Sequence, residues 1–556
     1  MSKSIQDYFQ NEIQLLNESI HHFTKSYPQN AANLHLDTIQ GRDPHIERLL
    51  EGCAYLTARV KQQIDVGVNH IGEAVLRQLA PVYLAPQPAM TIVEFTSPHN
   101  RLTSSEHIPS GIKLISHPVG EEQVSCEFQT LYAMDVHPIH LSTIELHEQR
   151  LQLVFNIHDG VLPSTLTIRH LSLYIHASST QAYEWYYFLT RQVERVNLIY
   201  ASGKKTYLGG QEIIQERECE RSSEAWLSES EHNPFHSLRR YFHFSLGEQF
   251  VTIDLKESVL LEEQFTVEIE FSNPVTLRLH RGLFKLHCVP AINLFLMSGE
   301  PIRCRNDHSE YPIVLSQEHS VSKQLYAIAR VLGITKHHPS QIEFEDLCRT
   351  EAVKPEGFYY RLMQTNEKQE VIQSKFVFSG PLNNLLLVSF DALACNGYYP
   401  NQYLNGGDLY LNDKRVSLQL EASNITRPNQ YQLPKLDPQR IPSILMLINA
   451  NLERFKSVLF LKRLLSLHDE RNVATHLIES ISAIHFNLFN RVRQGIVQKG
   501  VLFKVIMNYE QAILGEVALF GKQLHRLLHY FKPINFFLET HIELKPSGQV
   551  FIWDIP

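Results

Sequence analysis

The run Asp43-Pro44-His45-Ile46-Glu47-Arg48-Leu49-Leu50-Glu51-Gly52 decides how this chain is read, together with Pro81-Val82-Tyr83-Leu84-Ala85-Pro86-Gln87-Pro88 downstream. Asp43 can accept from the free N–H groups of a first helical turn, and Pro44 has no N–H to lose there. Ile46, Leu50, Cys53, Val60, Ile64, Ile71 and Val75 continue a single apolar stripe, so the spacing predicts helix over 44–79 with a break near Gly67. Unbroken, that segment would span on the order of 50 Å at ~1.5 Å per residue, long for a compact domain. Pro81, Pro86 and Pro88 then impose an extended exit. The stretch holds no nucleophile, metal-ligand cluster or phosphate loop. It reads as a part that assembles rather than one that catalyses.

Upstream, Phe9, Ile13, Leu16, Ile20 and Phe23 recur at a period of about 3.5, a coiled-coil seam that Tyr27-Pro28 ends. Such a seam fits either a helix lying on its own domain or one strand of an intermolecular helical bundle.

From Thr91 to about Ser272 the pattern turns to strands. Leu166, Ile168, Leu171, Leu173 and Ile175 mark one, and Val124–Leu131, Leu151–Ile157 and Phe265–Phe271 are similar. The aromatic run within Ala182–Leu189 predicts a helix, and Asn233-Pro234 begins another through Tyr241. Residues 203–232 are polar and read as a surface insertion. Residues 280–435 are strand and loop, with a buried strand at Leu385–Phe390. Beyond Pro442, helices are expected over Leu445–Leu467 and Val473–Phe489, then a strand at Val501–Met507. Val517, Phe520, Leu524, Leu527 and Phe531 predict a last helix.

A chain of 556 residues, 43% hydrophobic, can build three or four domains. A net charge of −8 gives nucleic-acid binding no global electrostatic support. The seven cysteines are scattered with no CxxC pair, which argues against a disulfide framework and for a reducing compartment. The first ten residues lack the apolar core of a signal peptide, and no apolar window is long enough to span a bilayer. A cytoplasmic location is the expectation.

Local motifs for chemistry are incomplete. Gly203-Lys204-Lys205-Thr206 resembles the end of a phosphate loop, but Leu198 stands where the first glycine is needed and Lys205 where Ser or Thr would hold magnesium. His232 and His236 are separated by Asn233-Pro234, which interrupts the helix a metal pair would need. His147-Glu148 lacks the second histidine of a zinc protease, and His337-His338 precedes Pro339 as a loop. His158-Asp159 and His468-Asp469 have no serine elbow to serve. The expectation is no catalytic, cofactor or metal site and no cofactor.

Blocks spread along the chain resemble the TssF family of the bacterial type VI secretion system. Tyr8-Phe9, Glu12, Leu15 and Tyr27-Pro28 resemble its opening helix. The most specific block comprises Asp43-Pro44, Glu47-Arg48-Leu49-Leu50-Glu51-Gly52, Ala54, Leu56 and Ala58-Arg59-Val60. Pro81, Tyr83-Leu84-Ala85-Pro86 and Pro88 follow. Phe284, Leu286, Cys288, Pro290 and Asn293-Leu294-Phe295 resemble a central motif, continued by Pro301-Ile302 and Glu310-Tyr311. Cys395-Asn396 with Gly406 resembles a further block, and Phe520-Gly521, Leu524, Tyr530 and Ile534-Asn535-Phe536-Phe537 the last. Segments 203–232, 335–380 and 442–465 depart from the pattern.

The resemblance implies a structural role in a baseplate. Two TssF-like copies with one TssG-like subunit would form a wedge, with six wedges around the spike hub. TssK would link the wedge to the inner-membrane complex, and TssE and sheath proteins would be neighbours as the ring primes sheath assembly. The same architecture serves phage tails and extracellular contractile devices, which is the alternative reading; a hydrolase built from distant residues is a third. The expected fold is multidomain α+β: a helical region 1–90, a first β-rich domain 91–275 carrying the insertion, a second mixed β domain 276–437 and an α/β region 438–556. The expected partner surface is Phe9, Ile13, Leu16, Ile20, Phe23, Ile46 and Leu50, with no nucleic-acid contact and no membrane insertion.

Overall fold

The computed structural model describes residues 5–33, 44–216, 234–259, 262–304, 308–315, 322–335, 341–350, 352–354, 356–368, 371–381, 385–434, 440–448, 450–493 and 496–554. The helices in chain order are α1 (Ile5–Ser26), α2 (Pro28–Asn33), α3 (Pro44–Leu79), α4 (Ser179–Arg191), α5 (Pro234–His243), α6 (Tyr399–Tyr403), α7 (Arg440–Ile448), α8 (Val458–His468), α9 (Thr475–Ser480) and α10 (Leu514–Phe531). The rest is mainly antiparallel sheet, so the class is multidomain α+β. Contacts divide the chain into two units: Met1–Ala85 with Pro434–Ala450, and Pro86–Leu433 with Asn451–Pro556.

The first unit is helical. The hydroxyl of Tyr8 donates to Asp65 Oδ2 at 2.7 Å, and Lys61 pairs with the buried carboxylate of Glu12. As α1 advances, its partners on α3 recede, so the two helices run antiparallel. The α3 face that meets α1 carries Ala54, Ala58, Lys61 and Asp65, spaced at helical intervals. Ala54 and Ala58 are fully buried, and their small side chains let the neighbouring backbone come close.

Contrary to the expected break, α3 is continuous for 36 residues through Gly67 and Gly72. A helical glycine costs only about 1 kcal/mol relative to alanine, which packing along the helix offsets. Gly72 has a packing reason: a Cβ there would lie 2.5 Å from Ile441 Cγ2 of α7. The helix ends where the N–H of Ala80 bonds the carbonyl of Leu76 and Pro81 follows.

The second unit is built on a six-stranded sheet that gathers distant parts of the chain. Met90–Thr96 lies between Cys288–Ile292 and Glu421–Asn424, with Ile92 opposite Pro290 and Val93 opposite Asn424. Glu127–Thr130, Lys113–Ser116 and Leu409–Leu411 complete it. Beside it are a five-stranded sheet (Ile139–His147, Arg150–Ile157, Val193–Tyr200, Lys205–Gly209 and Gln264–Phe271) and a four-stranded one that includes Thr167–Ile175 and Phe250–Val259. Two further four-stranded sheets enclose a separate core around Phe376, Val388 and Phe390.

The helix expected within 182–189 is α4, whose Trp185 and Tyr186 are fully buried. Its crossing with α10 is so close that a Cβ on Gly515 would lie 1.7 Å from the carbonyl oxygen of Tyr183. The polar insertion needs correction. Lys205–Gly209 and Ile214–Glu216 are sheet strands, and Lys205 donates at 2.6 Å to the buried Glu268. The remainder, 217–232, lies outside the described residues.

The last region differs from expectation in two places. Leu445–Leu467 is not one helix. Asn451 and Ser457 accept from the N–H groups of Arg454 and Phe460, so the chain starts a 3-10 turn and then α8 afresh. The helix expected over Val473–Phe489 stops at Ser480, and Ile481–Arg493 is a strand paired with Ile496–Asn508. Ile484, Phe486 and Leu488 fit a two-residue period while Ile481, Ile484 and Leu488 fit a helical one, and a ready partner strand decides between them. Ile496–Asn508 then runs parallel to Phe536–Lys545, and α10, the expected last helix, makes the crossover.

Candidate assembly surface

The seam of α1 is partly covered within the chain. Phe9, Ile13, Leu16 and Ile20 are half-buried, Phe9 meets the ring of Tyr55 edge-on at 6.4 Å, and Phe23 is 36% exposed. On α3, Leu50 is half-buried while Glu47, Arg48 and Gly52 are exposed, and no atom lies within 4 Å of where a Gly52 Cβ would sit. Asp43 lies outside the described residues, as does the side chain of Ile46; Pro44 opens the helix.

Another face of α3 carries the largest run of exposed apolar side chains among the described residues of the first unit. Leu49, Leu56, Val60, Ile64, Ile71, Val75 and Leu79 are all exposed, Ile71 at 68% and Leu49 at 66%. Leu49, Val60 and Ile71 are spaced by eleven residues, as are Cys53, Ile64 and Val75. An eleven-residue repeat corresponds to about 3.67 residues per turn, close to a straight α-helix, so the stripe stays on one face for the whole helix. The apolar stripe read from the sequence included Val60, Ile64, Ile71 and Val75 but not Leu79, nor Leu49 and Leu56, which entered only as motif positions. The eleven-residue spacing was the signal that would have found Leu49.

The other family-motif residues occupy structural positions. Tyr83 is buried in the 3-10 turn that Pro81 opens, and Pro86 is buried at the start of the second unit. Cys288 and Pro290 are buried in the strand beside Met90–Thr96, and Phe295 is buried in the next. Asn293 is fully buried. Its Nδ2 donates to the carbonyl of Glu127 and to Asn396 Oδ1, both at 2.7 Å, and its Oδ1 accepts from the N–H of Asn396 at 2.7 Å. Asn535 is exposed with φ +70°, a left-handed turn that asparagine tolerates better than most residues.

The residues considered for chemistry are engaged otherwise. Glu268 accepts from Lys205, Gln152 and Asn197. Burial opposes its charge, but the hydrogen bonds and the Lys205 ammonium prevail and hold its carboxyl below the usual range. His158 stacks on His140 at 5.9 Å, and burial lowers its pKa. His468 Nδ1 lies 2.7 Å from the carbonyl of Leu464, while Asp469 caps the N–H groups of Val473 and Ala474. His147 is exposed and 3.3 Å from Glu145. Burial pushes His236 down to about 3. His232 and His337-His338 lie outside the described residues. Among the described residues no three His, Cys, Asp or Glu side chains converge to hold a metal ion, and no helix is long and apolar enough to cross a membrane.

An α+β chain that presents a long apolar helix face and uses its distinctive polar residues as internal ties has the features of an assembly component. Residues 1–555 match the model of the family described as type VI secretion system, TssF, and the chain belongs to that family. A curated relative, the type VI secretion system component TssF1 of Pseudomonas aeruginosa, is 30% identical over 205 residues. That match spans 34% of this chain and about a third (33%) of the relative's length. Among solved structures, a chain of the type VI secretion system TssK-TssF-TssG baseplate subcomplex is similar with a TM-score of 0.77 and 21% identity, covering 92% of this chain and 98% of that one. A chain of a type VI secretion baseplate complex gives 0.63 and 19%, with 99% of each covered.

Proposed function

We propose that this protein is a structural wedge subunit of a type VI secretion baseplate and has no catalytic activity of its own. Two copies assemble with one TssG-like subunit, and the wedges ring the spike hub and help prime sheath assembly. TssK joins the wedge to the inner-membrane complex, so the working location is the cytoplasm at that membrane, with TssE and sheath proteins as neighbours. The four parts proposed from the sequence divide the work: 1–90 forms the shared helical bundle, and 91–275, 276–437 and 438–556 supply the β-rich bodies.

The observation that carries this reading is the family match across residues 1–555. The exposed stripe of α3 supplies its physical basis. Seven large apolar side chains along one helix favour burial against a second long helix, at roughly 25 cal/mol per Å² removed from water. The α1 seam and Leu50 frame this surface through their packing inside the first unit. The test is the native mass of this chain co-expressed with the TssG-like protein encoded nearest to it. A stable complex of two copies with one partner is expected; a monomer that binds no such partner would refute the wedge.

A further inference from the structure

A second surface, in the other unit, has no place in that reading. The helix α6 places Tyr399 and Tyr403 one turn apart, with ring centroids 5.4 Å from each other. The turn after Lys113–Ser116 lies against both. Gly120, at φ +73°, is so close that a Cβ would meet the Tyr403 and Tyr399 rings at 3.2 and 3.3 Å. Three residues before Gly120, His117 is exposed and tilts over Tyr410 at 4.9 Å. Tyr410 sits on the strand Leu409–Leu411 at the edge of the six-stranded sheet, opposite Ile115. Tyr403 is 38% and Tyr410 41% exposed. The rings therefore form one shelf along a sheet edge.

Glu121 and Glu122 stand at the tip of the same turn, both exposed. Burial, and then the negative charge of the adjacent Glu122, raises the pKa of the Tyr399 hydroxyl, and among the described residues neither Glu121 nor Glu122 pairs with a basic side chain. The nearby cation Arg427 is directed elsewhere: its Nη2 and Nε donate to the carbonyl of Asn401 at 2.6 and 3.2 Å. The shelf thus combines electron-rich ring faces with two carboxylates that have no basic partner among the described residues.

We propose that the shelf formed by Tyr399, Tyr403, Tyr410 and His117, rimmed by Glu121 and Glu122, docks an arginine-bearing segment of another protein. Arginine fits better than lysine. Its planar guanidinium stacks on a ring while its N–H groups reach a carboxylate, whereas an ammonium is a more strongly hydrated point charge. Tyrosine and arginine are also the side chains most enriched at interface centres. The inference does not depend on the wedge reading, because it concerns a different unit and a different partner chemistry.

The test uses the full chain and three fluorescein-labelled peptides, Gly-Arg-Gly-Arg-Gly and its lysine and glutamate counterparts, followed by anisotropy at low ionic strength. The arginine peptide should bind most tightly and the glutamate peptide not at all. Glu121→Gln with Glu122→Gln should weaken the arginine peptide about tenfold, and Tyr403→Leu with Tyr410→Leu by a similar factor. Glu145→Gln, an exposed acid on another sheet, should leave binding unchanged. Should the tyrosine pair fail to fold, the glutamate pair decides, since both its side chains are exposed on a turn. Unchanged binding by the glutamate pair, an equal loss on Glu145→Gln, or equal binding of the glutamate peptide would overturn the proposal.

Discussion

Asn293 and Asn396 hold each other across 103 residues of sequence: each receives a 2.7 Å hydrogen bond from the other, one from the Asn293 amide and one from the Asn396 backbone N–H. The pair also takes in the carbonyl of Glu127 through Asn293 and the N–H of Glu127 through Asn396. Three segments of the second unit are tied at one buried point.

Asn293→Ala would leave the Asn396 N–H and the Glu127 carbonyl without this partner while still enclosed. A loss of about 1–3 kcal/mol is expected, because an unsatisfied buried polar group costs roughly its desolvation. Asn293→Asp should cost more, since it removes a donor and sets a carboxylate against two acceptor oxygens. Urea unfolding midpoints of both variants check this. Aspartate tolerated as well as asparagine would mean that the amide donor is dispensable.

Gly72 makes a second local prediction. Gly72→Ala puts a methyl 2.5 Å from Ile441 Cγ2, so α3 and α7 must part or Ile441 must shift. Overpacking of this kind costs about 1–3 kcal/mol, more than the gain in helix propensity. Ile441→Val in the same chain removes a methyl group from the crowded side chain and should recover part of the loss. A double-mutant cycle read by limited proteolysis of the helical unit measures the coupling. Additive effects would show that the two positions do not touch in solution.

Much of this architecture was legible because local signals agreed with tertiary demands. Pro44 and Pro81 bound α3, and the alternation of Leu171, Leu173 and Ile175 is that of a strand. The failures have physical causes. Gly67 signals a break, but a glycine penalty is small beside the packing of a 36-residue helix. The segment from Ile481 to Leu488 fits both a helical and a two-residue spacing, and the pairing with Val501–Val505 that settles the matter is non-local. Whether the α1 seam faces its own chain or a partner cannot be read from spacing, because both environments select the same side chains. Asn293 and Asn396 stood out in sequence, yet only the fold brings them together.

The abundance of histidine has a consequence for pH. Burial pushes His243 down to about 4, His525 to about 4 and His287 to about 3, against roughly 6.5 in an unfolded chain. His287 Nε2 lies 3.1 Å from the His137 N–H, from which it accepts, so it must stay unprotonated to make that bond. With native pKa values depressed, the unfolded state binds more protons once pH falls below about 6.5. Stability is therefore whole above that pH and declines toward pH 4, at up to about 1.4 kcal/mol per pH unit for each group. Urea midpoints measured from neutral pH down to about 5 should fall steadily. A flat profile over that range would show that these imidazoles are solvated or charged in the native state.

The two helix faces of the first unit make the proposed assembly surface separable from the fold. Val60 and Ile71 are 54% and 68% exposed on α3, whereas Ile13 is half-buried within the α1 seam. Val60→Glu with Ile71→Glu changes side chains that already meet water, so helix content and unfolding midpoint should stay close to those of the unaltered chain. Binding of the TssG-like partner should fall by a hundredfold or more, since a charge enclosed without a counter-ion costs several kcal/mol. Ile13→Glu should instead destabilise the chain itself, because it places a carboxylate at a half-buried position. Co-purification and circular dichroism on the same samples separate the two effects. If the α3 pair keeps full partner affinity while Ile13→Glu, still folded, loses it, the partner reads the α1 side and the exposed stripe of α3 serves another contact.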